Sequence, residues 1–460
     1  MLQPPDGTSR TRWGVLLAIG LGTFMSALDG SVVNIILPVV RQQFTASVAA
    51  VEWVVTIYLL VISALLLSVG RLGDLRGHRS VYAAGFLVFL LGSALCGLST
   101  SVGFLIGARG MQAIGAAMLM ANAPAILTKS FPAEMRGRAL GLQATMTYLG
   151  LTVGPSIGGW LANALGWRWV FYINLPVGLA ALLLALRFVP RDAGNGAVQG
   201  FDLRGAVTFA LGLVSLLLAL NQGEAWGWSS PATVGLLAGS VILLLAFLRV
   251  ERNVPAPMLD LTLFRQRTFS AAAGSALLNY VCVYTLLFLL PFYLLDARGL
   301  STAQAGLLLT AQPLTMALVT PLSGSMSDRI GTRLPSVIGM GLLAVALWLL
   351  SGLTAETPTL VFVLKLALAG LGIGIFVSPN NSALMGAAPA HRQGIAAGTL
   401  ALARNVGMVL GVTFAGAVYT IVLGHSVAGE TAAILDAVRI AYLAAAGIAL
   451  AGMGVAALRS

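Results

Sequence analysis

The side chain best placed to do chemistry in this chain is Asp29, because of the company it keeps. It lies in Ser26-Ala27-Leu28-Asp29-Gly30-Ser31-Val32-Val33-Asn34-Ile35-Ile36-Leu37-Pro38, the end of an apolar run that begins near Trp13. Such a run is long enough to cross a bilayer, which takes roughly 20 residues. A carboxylate at bilayer depth costs at least ~2.5 kcal/mol to insert, so it needs a reason to be there. Burial strengthens a carboxyl group's hold on a proton, and a neighbouring cation weakens it. A site that alternates between those settings can therefore take up and release a proton. A structural acid held permanently by an arginine fits the same pattern, and both readings stand at this point.

Arg109 is the arginine placed for either role. At 1.5 Å per residue Asp29 sits ~14 Å below the Pro38 end of its run, and Arg109 sits ~10 Å below the same membrane face. Its surroundings are Arg109-Gly-Met-Gln112-Ala-Ile-Gly115, with Gln112 nearly one turn deeper on the same helix face. A simple helix staple is the alternative for Arg109. Arg404 is a further charge at depth, equally compatible with a cavity and with a structural contact. Tyr280 and Tyr284 share a helix face with nearby Asn279. With Asn34, Tyr58, Gln112, Gln143, Tyr148 and Gln312 they are candidates to line an aromatic and polar cavity for a lipophilic molecule. Core packing or an interfacial belt is the plainer reading of each.

The elements that must position these residues follow from composition. Of the 460 residues 58% are hydrophobic and 9% charged, whereas soluble domains carry about a quarter charged residues. The apolar runs are about twice the length of the alternating ten-residue segments of a membrane barrel. An all-α polytopic membrane protein is expected, with about fourteen spans at 14–38, 51–70, 80–98, 103–126, 138–162, 168–188, 203–222, 232–250, 269–292, 303–323, 334–352, 358–379, 395–420 and 437–457. Arg10 and Arg12 before the first run resemble a signal peptide, but the run is too long and many follow, so a retained helix is expected. A net charge of +11 would suggest nucleic acid in a soluble protein. Here the basic residues gather in alternate loops, about nineteen on one side against about four on the other, which puts both termini in the cytoplasm. Cys96 and Cys282 have no ligand spacing and read as packing residues. His78, His391 and His425 are scattered over loops. Without a GxxxxGK[ST] loop, a metal cluster or a nucleophile triad, no enzyme activity, cofactor, metal or nucleic acid is expected.

The chain also repeats itself. Gly70-Arg-Leu-Gly-Asp74-Leu-Arg-Gly77-His-Arg79 aligns without gaps on Gly324-Ser-Met-Ser-Asp328-Arg-Ile-Gly331-Thr-Arg333. Each copy joins the second and third helices of a bundle. Two six-helix halves therefore flank an extra pair, 203–222 and 232–250, and repeated halves are a transporter signature with the site between them.

These motifs resemble the major facilitator superfamily, specifically its fourteen-helix drug:proton antiporter branch, over nearly the whole chain. Leu28-Asp29-x-Ser31-Val-Val-Asn34-x-x-Leu37-Pro38 is similar to that branch's first-helix signature, with Ser31 where Thr is commoner. The resemblance implies proton or cation coupling at Asp29. The Arg109 stretch has Ala113 where Gly is commoner. The loop motif with Gly70, Asp74, Gly77 and Arg79, and its copy with Asp328 and Arg333, implies a latch that holds the inner side closed. Gly150-x-x-x-Gly154-Pro155-Ser156-Ile157-Gly158-Gly159 resembles the fifth-helix signature of antiporters. Its small residues would seal the outer side between the halves, with simple helix packing as the alternative. Trp167-Arg168-Trp169-Val-Phe-Tyr-Ile-Asn174-Leu-Pro176 also looks like this branch, as does Gly394 through Gly407. The second half has no obvious membrane acid, which argues for monovalent or neutral cargo.

The expected organisation is a cytoplasmic N-terminus 1–13, a six-helix bundle 14–190, an inserted transmembrane hairpin 191–255 and a second six-helix bundle 256–460. The expected function is proton-coupled antiport in the plasma (inner) membrane. It would export amphipathic drugs or secondary metabolites by alternating access, as a monomer whose partners are cargo, protons and lipids. Coupling requires Asp29 to lie on a water-accessible path between the bundles. Lipid or glycolipid export on the same fold, and a non-transporting membrane sensor, are the alternatives.

Overall fold

In a computed structural model of the chain the described residues are 9–46, 48–192, 201–254, 257, 259–300, 302–425 and 430–459. The helices of the first half are α1 (Ser9–Phe44), α2 (Val48–Arg76), α3 (His78–Gly97), α4 (Val102–Ser130), α5 (Arg136–Ala164), α6 (Trp169–Tyr172) and α7 (Asn174–Phe188). An inserted pair follows, α8 (Leu203–Trp226) and α9 (Pro231–Asn253). The second half holds α10 (Arg267–Phe292), α11 (Thr302–Leu309), α12 (Ala311–Ile330), α13 (Arg333–Ser351), α14 (Thr359–Ala387), α15 (Gln393–His425) and α16 (Glu430–Ala457). Among the described residues thirteen helical stretches are long and apolar enough to cross a membrane, counting α6 with α7 and α11 with α12 as single spans. The 29-residue α5 is long enough too, but its Gly, Thr and Gln content keeps it outside that set.

Helix ends are set by local chemistry. Ser101 accepts from the Phe104 N–H at 3.2 Å and starts α4, Asp202 accepts from Gly205 N–H at 2.9 Å and starts α8, and Ser230 accepts from Thr233 N–H at 3.2 Å ahead of Pro231 in α9. The repeated glycines have a conformational cause. Gly77 between α2 and α3 and Gly331 between α12 and α13 have φ of 89° and 84°, a region that only glycine occupies cheaply.

Each half packs as its own bundle, α1 on α5 and α7 and α3 on α4 in the first, α10 on α15 and α16 and α13 on α14 in the second. The α8–α9 hairpin leans on α2. The halves meet along two seams, α2 against α15 and α5 against α12. At the end that carries the arginine-rich loops the seams are closed by two matched latches. Asp74 accepts from the Gly394 and Ile395 N–H groups at 2.9 and 3.2 Å, at the start of α15. Asp328 accepts from the Gly137 and Arg138 N–H groups at 2.8 and 3.0 Å, at the start of α5. Each carboxylate thus caps the positive end of a helix in the other half. Gly70 abuts the Gly394 carbonyl and Gly324 the Gly137 carbonyl, with no room for a Cβ at either crossing. Further along the seams, Ser378 Oγ donates to Gly137 O at 2.7 Å, Thr145 Oγ1 to Ala317 O at 3.1 Å, and Asn405 Nδ2 to Ser63 Oγ at 3.1 Å.

In this conformation, latched at the opposite end, the small-residue face of α5 packs on α1 within one half. Gly150, Gly154 and Gly158 lie against Phe24, Ser31 and Val32 of α1, where a Cβ on Gly150 would come within 2.6 Å of the Phe24 carbonyl, while Gly159 faces open space. His78 belongs to no loop. It opens α3, is buried, pairs through Nδ1 with Asn122 Oδ1 at 2.7 Å and reaches Asp74 Oδ1 through Nε2 at 3.3 Å. Of the remaining latch residues, Arg79 donates to the Leu186 carbonyl at 2.5 Å, and Arg333 is exposed at the head of α13. The side chains of Asn34 and Pro155 lie outside the described residues.

Candidate functional site

The deepest charged cluster is built by five helices of the first half. Asp29 on α1 has no exposed surface. Its Oδ2 accepts from Arg109 Nη1 at 2.7 Å. Its Oδ1 accepts from Gln112 Nε2 and from Asn174 Nδ2, both at 2.9 Å. Arg109 on α4 also donates through Nη1 to Gln112 Oε1 at 2.7 Å and through Nε to the Val54 carbonyl of α2 at 3.3 Å, and its Cζ lies 4.0 Å over the Tyr58 ring. Asn174, at the head of α7, donates to Ser93 Oγ at 3.0 Å, and Ser93 donates to the Phe171 carbonyl at 2.9 Å. Gly92 on α3 lets α4 close in, since a Cβ there would come within 2.6 Å of Gln112 N.

Arg109, Gln112 and Asn174 are all at most 1% exposed. Such a network is fully committed, and the low-dielectric surroundings make each contact count. In this latched conformation Asp29 is enclosed and not water-lined, because Arg109 lies between it and α2, whose Tyr58 ring covers the guanidinium. Tyr58 and Gln112 accordingly belong to this cluster and not to a cavity wall. Asn174 and Ser93 join this cluster without being candidates from the sequence. The signal for Asn174 was its position, two residues before Pro176 at the start of a span.

The other cavity candidates divide. Asn279 is buried inside the second half, donating to Met340 Sδ at 3.4 Å. Gln312 is 1% exposed, with its backbone against Gly370 of α14 and its amide without a hydrogen-bond partner among the described residues. Asn279 thus turns into its own bundle, toward Met340 of α13. Gln143, Tyr148, Tyr280 and Tyr284 keep partial exposure at mid-height. Gln143 Nε2 donates to Thr23 Oγ1 at 3.5 Å, and Tyr148 packs across the seam on the core of the second half. Arg404 lies between the halves, with Met120 Sδ of α4 at 3.9 Å and Tyr148, Tyr280 and Tyr284 within electrostatic reach.

The two halves are unequal in charge. Helices α4 and α14 have the same length, so Arg109 and Gln112 correspond to Leu366 and Ala369, both buried among apolar side chains. One half carries a buried ion pair at mid-height; the other carries hydrocarbon in its place.

Repeated helical bundles, two seams latched by matched loops and a buried charge pair define an integral membrane transporter. The chain belongs to the Major Facilitator Superfamily, whose family model matches residues 19–264 and 272–459. It is 34% identical over 446 residues to the riboflavin transporter RibZ of Clostridioides difficile, covering 96% of each chain. It is 34% identical to the multidrug resistance protein Stp of Mycobacterium tuberculosis, over 89% of this chain and 76% of that one. Among solved structures, the human organic anion transporter MFSD10 superposes with a TM-score of 0.71 at 17% identity over 99% of this chain and 100% of that one, which speaks for the fold alone.

Proposed function

We propose that the protein is a proton-coupled antiporter that exports amphipathic organic molecules by alternating access between its two halves. The observation that carries this reading is the position of Arg109, which holds Asp29 on one side and α2 on the other through Val54 O and Tyr58. Protonation of Asp29 removes the negative partner of a fully buried arginine. Leaving one member of a buried ion pair unpaired costs about 3–5 kcal/mol. Reversing a two-state equilibrium from 1:99 to 99:1 takes about 5.5 kcal/mol. One proton therefore supplies most of the shift and differential cargo binding the rest. The lever is α2, whose far end carries Asp74 and its latch on α15. In the latched conformation the carboxylate is enclosed, so the proton exchanges in the other one.

The arginine-rich, latched end is the cytoplasmic one in this reading, which places both termini inside and the protein in the plasma (inner) membrane. The export direction draws support from the multidrug resistance relative. The riboflavin transporter relative, matched along nearly its whole length, favours a second reading in which the cargo is an aromatic vitamin-like molecule. Proteoliposomes with an imposed pH gradient test the coupling. Gradient-driven uphill transport is expected in the wild type and lost in Asp29→Asn. Uphill transport that survives that substitution makes the Asp29–Arg109 pair a structural staple.

A further inference from the structure

We propose that Arg404 is the cargo-binding cation of the seam and that the cargo is a flat aromatic anion, carrying a carboxylate or an ionised phenol. This rests on the transport reading above and narrows its cargo class.

Arg404 lies eleven residues into α15, ~16 Å from the latched end at 1.5 Å per residue. Tyr148 on α5 and Tyr280 on α10 come to about the same height by the same rise, and Tyr284 one turn further. The four residues sit at mid-height on helices of both halves, where transporters of this architecture bind cargo. All three tyrosines are surrounded by protein and still keep accessible surface, which is the condition of a residue lining an internal space.

The guanidinium keeps accessible surface and has few protein partners. A guanidinium carries five donors and a permanent charge. Among the described residues its one hydrogen-bond contact is the Met120 sulfur at 3.9 Å, a weak acceptor. No carboxylate among the described residues lies within ion-pair distance. The tyrosine rings do not satisfy it either, since the cation–ring contacts found among the described residues involve other arginines. The contrast with the other deep arginines is plain. Arg109 has Asp29, Gln112 and Val54 O, and Arg459 has Ser275, Ser336 and Asn380.

A cation left unpaired at membrane depth is costly, and a structural staple would have acceptors. The missing partner is then the cargo. Its charge must be negative, because Asp29 is already neutralised by Arg109 and nothing else described at this height is acidic. Its body is flat and apolar in this proposal, because three phenols lie within electrostatic reach of the cation, with rings for stacking and hydroxyl groups to donate.

The test uses two dyes with the same xanthene ring and opposite charge, fluorescein and rhodamine 123, and the full-length protein in nanodiscs with no gradient. Fluorescence anisotropy is expected to show fluorescein binding at least about tenfold tighter than rhodamine 123, a preference that weakens with added salt. Arg404→Gln is expected to weaken fluorescein about tenfold and leave rhodamine 123 unchanged or tighter, and Arg404→Lys to keep most of the fluorescein affinity. Equal or tighter binding of rhodamine 123 by the wild type overturns the proposal, and that comparison needs no variant to fold. Fluorescein affinity unaltered in Arg404→Gln overturns it as well. Because binding requires no gradient, selective fluorescein binding without proton-driven flux removes the antiport reading alone. Proton-driven export of rhodamine 123 without fluorescein binding removes this inference alone.

Discussion

Asp74 and Asp328 perform the same act in opposite directions. Asp74 reaches from the first half to the N–H of Gly394 at 2.9 Å, and Asp328 reaches from the second half to the N–H of Gly137 at 2.8 Å. Each accepts from a second amide as well. Across the seam both carboxylates meet backbone amides and the dipole of a helix start, while within its own half Asp74 also meets His78 Nε2 at 3.3 Å.

Neutralising the carboxylates should therefore loosen the closed end. Loss of a charged helix cap costs about 0.5–2 kcal/mol, and the two sites are far enough apart to add. Spin labels on the exposed positions Arg138 and Arg329 flank the second seam. Their distance distribution should broaden toward longer separations in Asp328→Asn, and more so in Asp74→Asn/Asp328→Asn. An unchanged distribution in the double variant would show that the glycine crossings alone keep the end shut.

Those crossings predict a second effect. Gly70→Ala places a methyl group against the Gly394 carbonyl, and Gly324→Ala places one against Gly137. Overpacking costs about 1–3 kcal/mol. Here the halves can part to relieve it, so the expected outcome is a population shift away from the latched conformation with little loss of melting temperature. Gly92→Ala is the control. Its methyl would press on the Gln112 backbone inside one bundle, where nothing can part, and the melting temperature should fall.

The Asp29 cluster separates stability from coupling. Asp29→Asn leaves Arg109 without its anion and should lower thermal stability by about 3–5 kcal/mol at most. Asn174→Ala removes one of three donors and should cost about 1 kcal/mol. Replacing the pair together, Asp29→Leu with Arg109→Met, should recover much of the stability, since well-packed apolar residues often equal a buried ion pair. The double variant should still fail to accumulate cargo against a gradient. Recovered stability together with recovered uphill transport would remove the pair from the coupling machinery.

At the other end of the chain, Arg459 is buried and bonds Ser336 Oγ at 2.8 Å, Ser275 Oγ at 2.7 Å and Asn380 Oδ1, all neutral. Burial pushes its guanidinium down to about 10. The folded chain then holds that proton less tightly than the unfolded chain, so this group makes stability rise as pH climbs through and above about 10. Below ~9 both states are protonated and its contribution is flat. Melting curves of wild type and Arg459→Gln should therefore run parallel from pH 6 to 8 and diverge only in strong alkali.

Much of this molecule is legible without coordinates, because it is written locally. Hydrophobic run length specifies the spans, loop arginines sort them, and the repeated Gly–Asp–Gly–Arg spacing declares two related halves. Even the conformation is implied, since Gly77 and Gly331 occupy backbone angles that side chains avoid. Depth along a helix also follows from counting, which is why Asp29 and Arg109 could be set at one level before their contact was known.

Which face a residue turns to, and toward which neighbour, was decided by packing between distant segments. Asn174 joins Asp29 across 145 positions, and nothing in either stretch announces the other. Gly154 could serve either of two neighbours of α5, and its approach to α1 settled the matter. Asn279 and Tyr280 are adjacent, yet one points into its bundle and the other toward the seam, a rotation of about 100° that hydropathy cannot read in a helix apolar all round. Composition dictates that these helices enter a membrane; only their mutual packing determines which polar groups meet, because in hydrocarbon a polar side chain has no water to turn to and takes whatever partner the neighbouring helix presents.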